Sequence, residues 1–285
     1  MIVLDSTGEN RSVRTHFKSG LTLRPNFFAR IMSDLSRFKE FILYSVEAEL
    51  KLRTVGSYLG YLWWILDPLM YMLVYAFVIQ VVLQRGEPNF PLFVLCATLP
   101  WSWVSKTLGQ ATGNIKSKRK LLQQVYLPKF VLPVVQTLSN SILFVVGTPL
   151  LVVTALIYKI PLTIHVVEII PILFVQFLFI LGFSILLAHI GVFFDDINNI
   201  LTFTLRFWFY ISPCLYSLDR IPETYRWLWW LNPMTTFFTG YRNIIMFGQS
   251  PSYVGLAVWA VLSLILIAVA IKITYRFDKH YAKVT

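Results

Sequence analysis

Long apolar stretches dominate the chain and are separated by short polar or basic segments. An α-helix rises about 1.5 Å per residue, so roughly 20 apolar residues cross a hydrocarbon core about 30 Å thick. Six segments read as spans: about Tyr61–Leu83, Phe90–Leu108, Phe130–Tyr158, Val166–Phe194, Asn199–Tyr216 and Tyr253–Thr274. The third and fourth exceed the length of a perpendicular helix, which predicts tilt, a kink at Pro149 or Pro171, or projection from the bilayer. The fifth is short and interrupted.

Two further segments fit neither span nor loop. Residues 26–53 place Phe28, Ile31, Leu35, Phe38, Ile42 and Val46 at steps of three and four, with Arg30, Asp34, Arg37, Glu40 and Glu47 opposite. That pattern predicts an amphipathic helix capped by Asn26, suited to the inner membrane surface or, on the plainer reading, to a soluble partner. Residues 217–252 contain RWLWWLNPMTTFFTGYRNIIMFG, whose apolar runs are too short to span and are broken by Asn232-Pro233 and Gly240. Short helices re-entering the membrane satisfy that pattern, provided protein or water covers the broken backbone. The chain therefore divides into a tail (1–25), an interface helix (26–53), an all-α polytopic transmembrane domain (54–276, including the outer segment 217–252) and a second tail (277–285).

Composition supports a membrane class. The chain is 56% hydrophobic and 14% charged, against about 25% charged in soluble domains. Its net charge of +11 reflects topology rather than nucleic-acid binding. Of the 25 Lys and Arg residues, 19 fall before the first span, from Lys106 to Lys129, or from Lys272 onward. The other side holds Arg85, Lys159, Arg220, Arg226 and Arg242, and Arg206 lies within the fifth span. The excess marks the cytoplasmic side and places both termini there. Cys96 and Cys214 lie in apolar runs and read as buried thiols. Residues 1–25 lack the apolar core of a signal peptide.

Familiar catalytic and nucleotide motifs are missing. The segment GQATGNIK lacks the lysine position of a phosphate-binding loop, and neither His-Glu-x-x-His nor spaced cysteine pairs occur, so no metal site is expected. Asp195-Asp196 at the mouth between spans four and five has two readings: a Mg²⁺–diphosphate site of a polyprenyl-phosphate transferase, or the favoured cap at the start of span five. Charges inside spans are costly and mark polar partners or cavities. Asp67 and Arg206 both sit about 10 Å from the cytoplasmic ends of their spans. They are expected to be neighbours within one subunit or across two, the alternative being independent snorkelling. Tyr61, Trp64, Pro68, Tyr71 and Tyr75 recur at steps of three and four, on one arc of span one. A stripe of polar-tipped aromatics suits a surface for sugar rings; interfacial anchoring and helix packing are the alternative.

Three stretches carry a resemblance: LKLRTVGSYLGYLWWILDP (50–68), NIKSKRKLLQQVYLPK (114–129) and SPCLYSLDRIPETYRWLWWLNPMT (212–235). With the amphipathic helix they resemble the permease subunits of type-2 ATP-binding-cassette exporters of lipid-linked polysaccharides. Wall teichoic acid permeases (TagG/TarG type) are the nearest likeness, and O-antigen and capsule permeases are relatives. The resemblance implies a homodimer of six-helix subunits joined to two ATPase chains that bind ATP and Mg²⁺, with no cofactor in this chain. It implies coupling to the ATPases through Glu47, Glu49, Asn114, Lys116, Lys118, Arg119, Lys120 and Gln124. A substrate entrance would lie at Lys51, Arg53, Tyr58, Leu59 and Gly60, where Gly56 and Gly60 permit a sharp turn and the two cations meet a carrier diphosphate. Tyr61, Trp64, Asp67, Tyr71, Tyr75 and Arg206 would line the path, and Trp227, Trp229 and Trp230 would frame the exit. The rival readings are an exporter of small molecules and a membrane-embedded transferase.

Overall fold

The computed structural model describes residues 27–278 and 281 apart from 54, 56 and 57, and leaves out the side chains of Tyr61 and Trp64. The tail over 1–25, the Asn26 cap, Gly56 and residues 282–285 lie outside the described residues. The chain forms two compact units, residues 1–37 and 38–285. Of the first, the helix α1 (Phe27–Arg37) is described, and none of its residues is buried. The predicted helix over 26–53 is in fact two helices. Phe38 leaves helical geometry at φ −101° and ψ 11°, and α2 begins at Lys39 and runs to Leu52. Ile42 and Val46 of α2 are buried, and α2 packs on α7 (Val131–Gly147). Its inner face is thus covered by protein.

The second unit is helical throughout, with no strand among the described residues. Gly60 takes φ +47°, a left-handed conformation open to glycine, and starts a short 3-10 turn that leads into α3 (Trp63–Ala76). A π-helical segment, Phe77–Val82, extends α3. After it come α4 (Phe90–Ala111), the short α5 (Asn114–Ser117) and α6 (Arg119–Gln124), then α7 and α8 (Pro149–Ile157). A 3-10 turn, Ile164–Glu168, introduces α9 (Ile169–Phe193), and α10 (Ile197–Ile211), α11 (Glu223–Trp230), α12 (Pro233–Met246) and α13 (Tyr253–Arg276) complete the order.

Among the described residues, four helices are long and apolar enough to cross a membrane: Ile65–Val82, Val131–Ile157, Ile164–Phe193 and Tyr253–Arg276. Two of the six segments read from the sequence differ. The 22 residues of α4 reach about 33 Å, but Ser102, Ser105, Lys106, Thr107 and Gln110 interrupt its apolar surface. The 15 residues of α10 reach only about 22 Å. The overlong third segment divides between Gly147 and Pro149, because proline lacks the N–H that would continue the ladder. Pro171 causes no such break, since it lies in the first turn of α9 where that N–H has no helical partner anyway.

α4 and α9 form the core. Sixteen residues of α4 are buried, as expected for a helix surrounded by others: α3, α7, α9, α10 and α12 all pack on it. α9 lies along α13 and touches α4, α5, α7 and α12. α8 ends in a Schellman motif, with Ile160 N–H donating to Ala155 O and Lys159 N–H to Leu156 O, both at 3.0 Å. The left-handed position of that motif holds Lys159 at φ +55°, where a non-glycine residue costs about 1–2 kcal/mol. The segment after α13 also docks. Tyr281 is fully buried, its hydroxyl 2.6 Å from His189 Nδ1. Asp278 takes Lys129 Nζ at 3.2 Å and the Tyr126 hydroxyl at 3.3 Å.

One close backbone approach fixes α9 against the segment after α4. A Cβ on Gly191 would lie 2.0 Å from Thr112 O and 2.7 Å from Thr112 C. Gly191→Ala is expected to cost about 3 kcal/mol or more, a Tm fall of at least roughly 6 °C in a detergent melt. Gly109→Ala, whose methyl meets nothing within 4 Å, is expected to leave Tm unchanged or slightly raised.

Candidate functional site

α3, α4 and α10 enclose a groove of about 520 Å³. α3 presents Tyr71 and Tyr75 one turn apart, their rings stacked with centroids 6.3 Å apart. From Tyr75 the aromatic wall continues to Phe209 (5.7 Å), Trp101 (5.7 Å) and Trp208 (5.7 Å). Hydroxyls of Thr98, Ser102, Ser105 and Thr202 are interleaved with these rings. Apolar ring faces beside hydroxyls and charges form a surface that slides past sugar rings without a fixed set of hydrogen bonds. The structure thus brings Tyr71, Tyr75 and Arg206 into one site. Tyr61 and Trp64 have side chains outside the described residues.

The charges are arranged differently from expectation. Lys106 Nζ donates to Asp67 Oδ2 at 2.6 Å, so within this chain Asp67 pairs with α4 and not with Arg206. Arg206 lies on another wall of the same groove, its guanidinium 5.9 Å from the Phe203 ring. The sequence pattern grouped Lys106 with the loop cations, whereas α4 continues to Ala111 and carries it inside the helix.

Gly109 lines both the groove and an adjoining cavity of about 430 Å³ at the basic end. Lys116 of α5 and Asp195, on the α9–α10 turn, form an ion pair beside it, and Thr112 Oγ1 donates to Asn198 Oδ1 at 3.2 Å. Asp196 occupies the cap position of α10, but its side chain makes no capping bond. The cap reading therefore holds for its place in the chain and not for its carboxylate. No group of three or more His, Cys, Asp or Glu is arranged to hold a metal among the described residues.

At the entrance, Lys51 pairs with Glu47 one turn away on the exposed face of α2 at 2.5 Å. Arg53 is held more deeply. Its Nη1 donates to Asn140 Oδ1 at 2.6 Å and its Nη2 to Gln110 Oε1 at 3.4 Å. Asn140 Nδ2 and Gln136 Nε2 donate to that same Gln110 oxygen at 3.2 Å each, and Asn114 Nδ2 donates to Gln136 Oε1. Burial lowers the Arg53 pKa, and Glu49 nearby opposes the shift. Tyr58 and Leu59 are exposed. Glu49 also reaches Lys118 Nζ at 3.8 Å, tying α2 to the loop after α5. Arg119, Lys120 and Gln124 face outward on α6.

At the opposite end, Trp229 Nε1 donates to Ile211 O and to the Tyr216 hydroxyl at 3.0 Å each, while Trp227 and Trp230 stay exposed. Trp208 Nε1 donates to Asn232 Oδ1 at 3.0 Å, and Asn232 Nδ2 donates to Ser212 Oγ at 2.9 Å. Arg242, 3% exposed, donates to Phe93 O at 3.2 Å, Pro213 O at 2.6 Å and Cys214 O at 2.8 Å.

Sequence reasoning missed Lys106, the Gln110 cluster and the role of Arg242. Gln136 and Asn140, four residues apart in an apolar run, and Gln110 and Asn114, at the same spacing, were the available signal.

An aromatic groove with a basic mouth, in a bundle of apolar helices, is the build of a membrane conduit, and the comparisons agree. A family model described as ABC-2 type transporter matches residues 40–246, from α2 to the end of α12, so the chain belongs to that family. With its four apolar helices, it is a multi-pass protein of the plasma membrane. It is similar to the O-antigen export system permease protein RfbA of Myxococcus xanthus, at 35% identity over 256 residues covering 89% of this chain and 98% of the relative. A protein of the same description from Klebsiella pneumoniae is 26% identical over 80% of this chain and 90% of its own. The polysialic acid transport protein KpsM of Escherichia coli is 22% identical over 80% and 89%.

Asp67 and Lys106 are each about a third exposed, so their pair is worth about 1 kcal/mol. Asp67→Ala or Lys106→Ala is expected to lower Tm by about 2–4 °C. Exchanging the two charges should restore it, whereas Asp67→Arg with Arg206→Asp should not.

Proposed function

We propose that the chain is the membrane subunit of an ATP-driven exporter that carries an O-antigen-type polysaccharide, on its lipid carrier, from the cytoplasm to the outer face. The observation that carries this reading is the continuous aromatic wall from Tyr71 to Trp208 above a basic mouth. It stands in a chain 35% identical along nearly its whole length to an O-antigen permease. Teichoic acid gives way as the cargo because the relatives named above are O-antigen and polysialic acid proteins.

In this reading α3, α4, α7–α8, α9, α10 and α13 are six spans with both termini inside, and α11 and α12 re-enter from the outer side. The short α10 leaves the membrane early, and the broken backbone after it is covered by α12. Two such subunits join two ATPase chains, which hold ATP and Mg²⁺. The exposed cations of α6, with Lys118 and Glu49, face those partners. Motion of α2 and α5 reaches Gln110 through Arg53 and Asn114, and so reaches the wall of the groove. The carrier diphosphate meets Lys51 and Arg53 at the entrance, and Lys106 and Arg206 supply cations farther in. The sugar rings follow along Tyr71, Tyr75 and Trp101.

Tyr71→Ala with Tyr75→Ala is expected to lower polymer at the cell surface by about tenfold, with lipid-linked polymer accumulating inside while the complex still assembles and hydrolyses ATP; one lost stacking contact is worth about 1 kcal/mol. Undiminished export would favour a small-molecule exporter. ATP hydrolysis or polymer transfer by the purified chain alone would overturn the reading.

A further inference from the structure

A third cavity, of about 640 Å³, lies apart from the groove, between the loops that join α3 to α4 and α8 to α9, the turn before α11, and α12. On the proposed topology it opens to the outside. Three cations stand around it, Lys159, Arg242 and the Arg220 that pairs with Glu87, against two carboxylates, Glu87 and Asp219. Glu87 is answered by Arg220, whose Nε lies at 2.8 Å, and Asp219 accepts from the Ser217 hydroxyl at 3.2 Å. Lys159 has no carboxylate partner among the described residues. Arg242, at the wall, donates to three carbonyls, which leaves two of the five N–H donors of a guanidinium.

The backbone singles out Lys159. It fills the left-handed position of a Schellman motif, where glycine would do the same work without strain. Lys159 is exposed and lines the cavity. Asn89, on the same cavity, is a second non-glycine residue in that region, at φ +52°. Strained backbone held in place around a cavity marks a binding site more often than a structural one. Trp230, 45% exposed, and Asn243 line the same cavity. A ring face to stack on, an amide for hydroxyls and an unanswered ammonium match a sugar that bears a negative charge.

We propose that this cavity binds an anionic saccharide unit, one bearing a carboxylate or phosphate, as the exported polymer emerges. Trp230 stacks on the sugar ring and Lys159, with the remaining Arg242 donors, takes the anionic group. Holding the emerged end opposes its return into the groove. The assignment rests on the reading of the chain as a polysaccharide permease.

The test uses the complete complex with its ATPase partner in phosphatidylcholine nanodiscs. The probes are a glucuronate-containing disaccharide, uncharged N-acetyllactosamine and inorganic phosphate, read by tryptophan fluorescence against a Trp230→Phe control. Saturable binding of the acidic disaccharide is expected, with the uncharged one at least tenfold weaker. Lys159→Gly should weaken acidic binding at least tenfold while leaving Tm unchanged or higher. Equal binding of the two disaccharides, or binding indifferent to Lys159→Gly, overturns the proposal. So does phosphate binding as tightly as the acidic disaccharide, since that would make the cavity a simple anion site. If the wild-type complex exports polysaccharide yet binds no acidic disaccharide, this site alone fails; if it exports none, the proposed function fails with it.

Discussion

Hydrocarbon offers no hydrogen-bond partner, so each interrupted turn and each charge in this bundle has to be answered from within the protein. Arg242 shows the constraint most clearly. The chain stops being helical after Ile211, and the freed carbonyls of Pro213 and Cys214 fall in a fully buried region. The guanidinium of α12 takes both, adds Phe93 O from α4, and lies 3.4 Å from the centre of the Phe93 ring. One side chain thus satisfies two carbonyls of the turn after α10 and ties that turn and α4 to α12. Trp208, Asn232 and Ser212 do the same for the start of α12, where Asn232 Oδ1 also caps Met234 N–H at 3.0 Å. The irregular backbone at this end is affordable because it is stapled.

The same rule operates at the other end with a different outcome. Gln110 Oε1 accepts from Arg53, Asn140 and Gln136, so α2, α4 and α7 meet at a single amide oxygen. An amide hub is cheaper to rearrange than an ion pair buried in apolar surroundings, because its members keep partial partners when one moves. It sits one helical step from Gly109, which lines both the groove and its mouth. The point where α2, α4 and α7 meet is thus next to the junction of the groove with its basic cavity.

Periodicity and apolar length were enough to read the helical class and short helices after α10, and to name Pro149, with Pro171, tilt and projection as alternatives, for the overlong segments, because each follows from a local rule about apolar length or a missing N–H. The aromatic stripe was legible for Tyr71 and Tyr75, since a helix places residues four apart on one face. Its partners Trp101 and Phe209 were not, because they come from other helices whose rotation no local pattern sets. The Asp67 partner within this chain was missed because Lys106 was counted with the loop cations, although it falls inside the second apolar segment and lies within α4. The split of the surface helix at Phe38 left no periodic signal, since the apolar spacing runs straight through it. The proposed cargo rests on the relatives and not on any residue of the groove, as stacking faces accept many sugars.

The docking of Tyr281 and Asp278 changes the mechanical role of the chain's last helix. Read from sequence, residues after 276 form a trailing tail; in the structure Asp278 and Tyr281 fasten the foot of α13 to the strip of chain that joins α6 to α7, and to His189 near the end of α9. A displacement of that strip therefore reaches α13 and α9 directly, without passing through the amide hub. Asp278 and Tyr281 thus give the basic end of the bundle a second set of cross-links, separate from those that meet at Gln110.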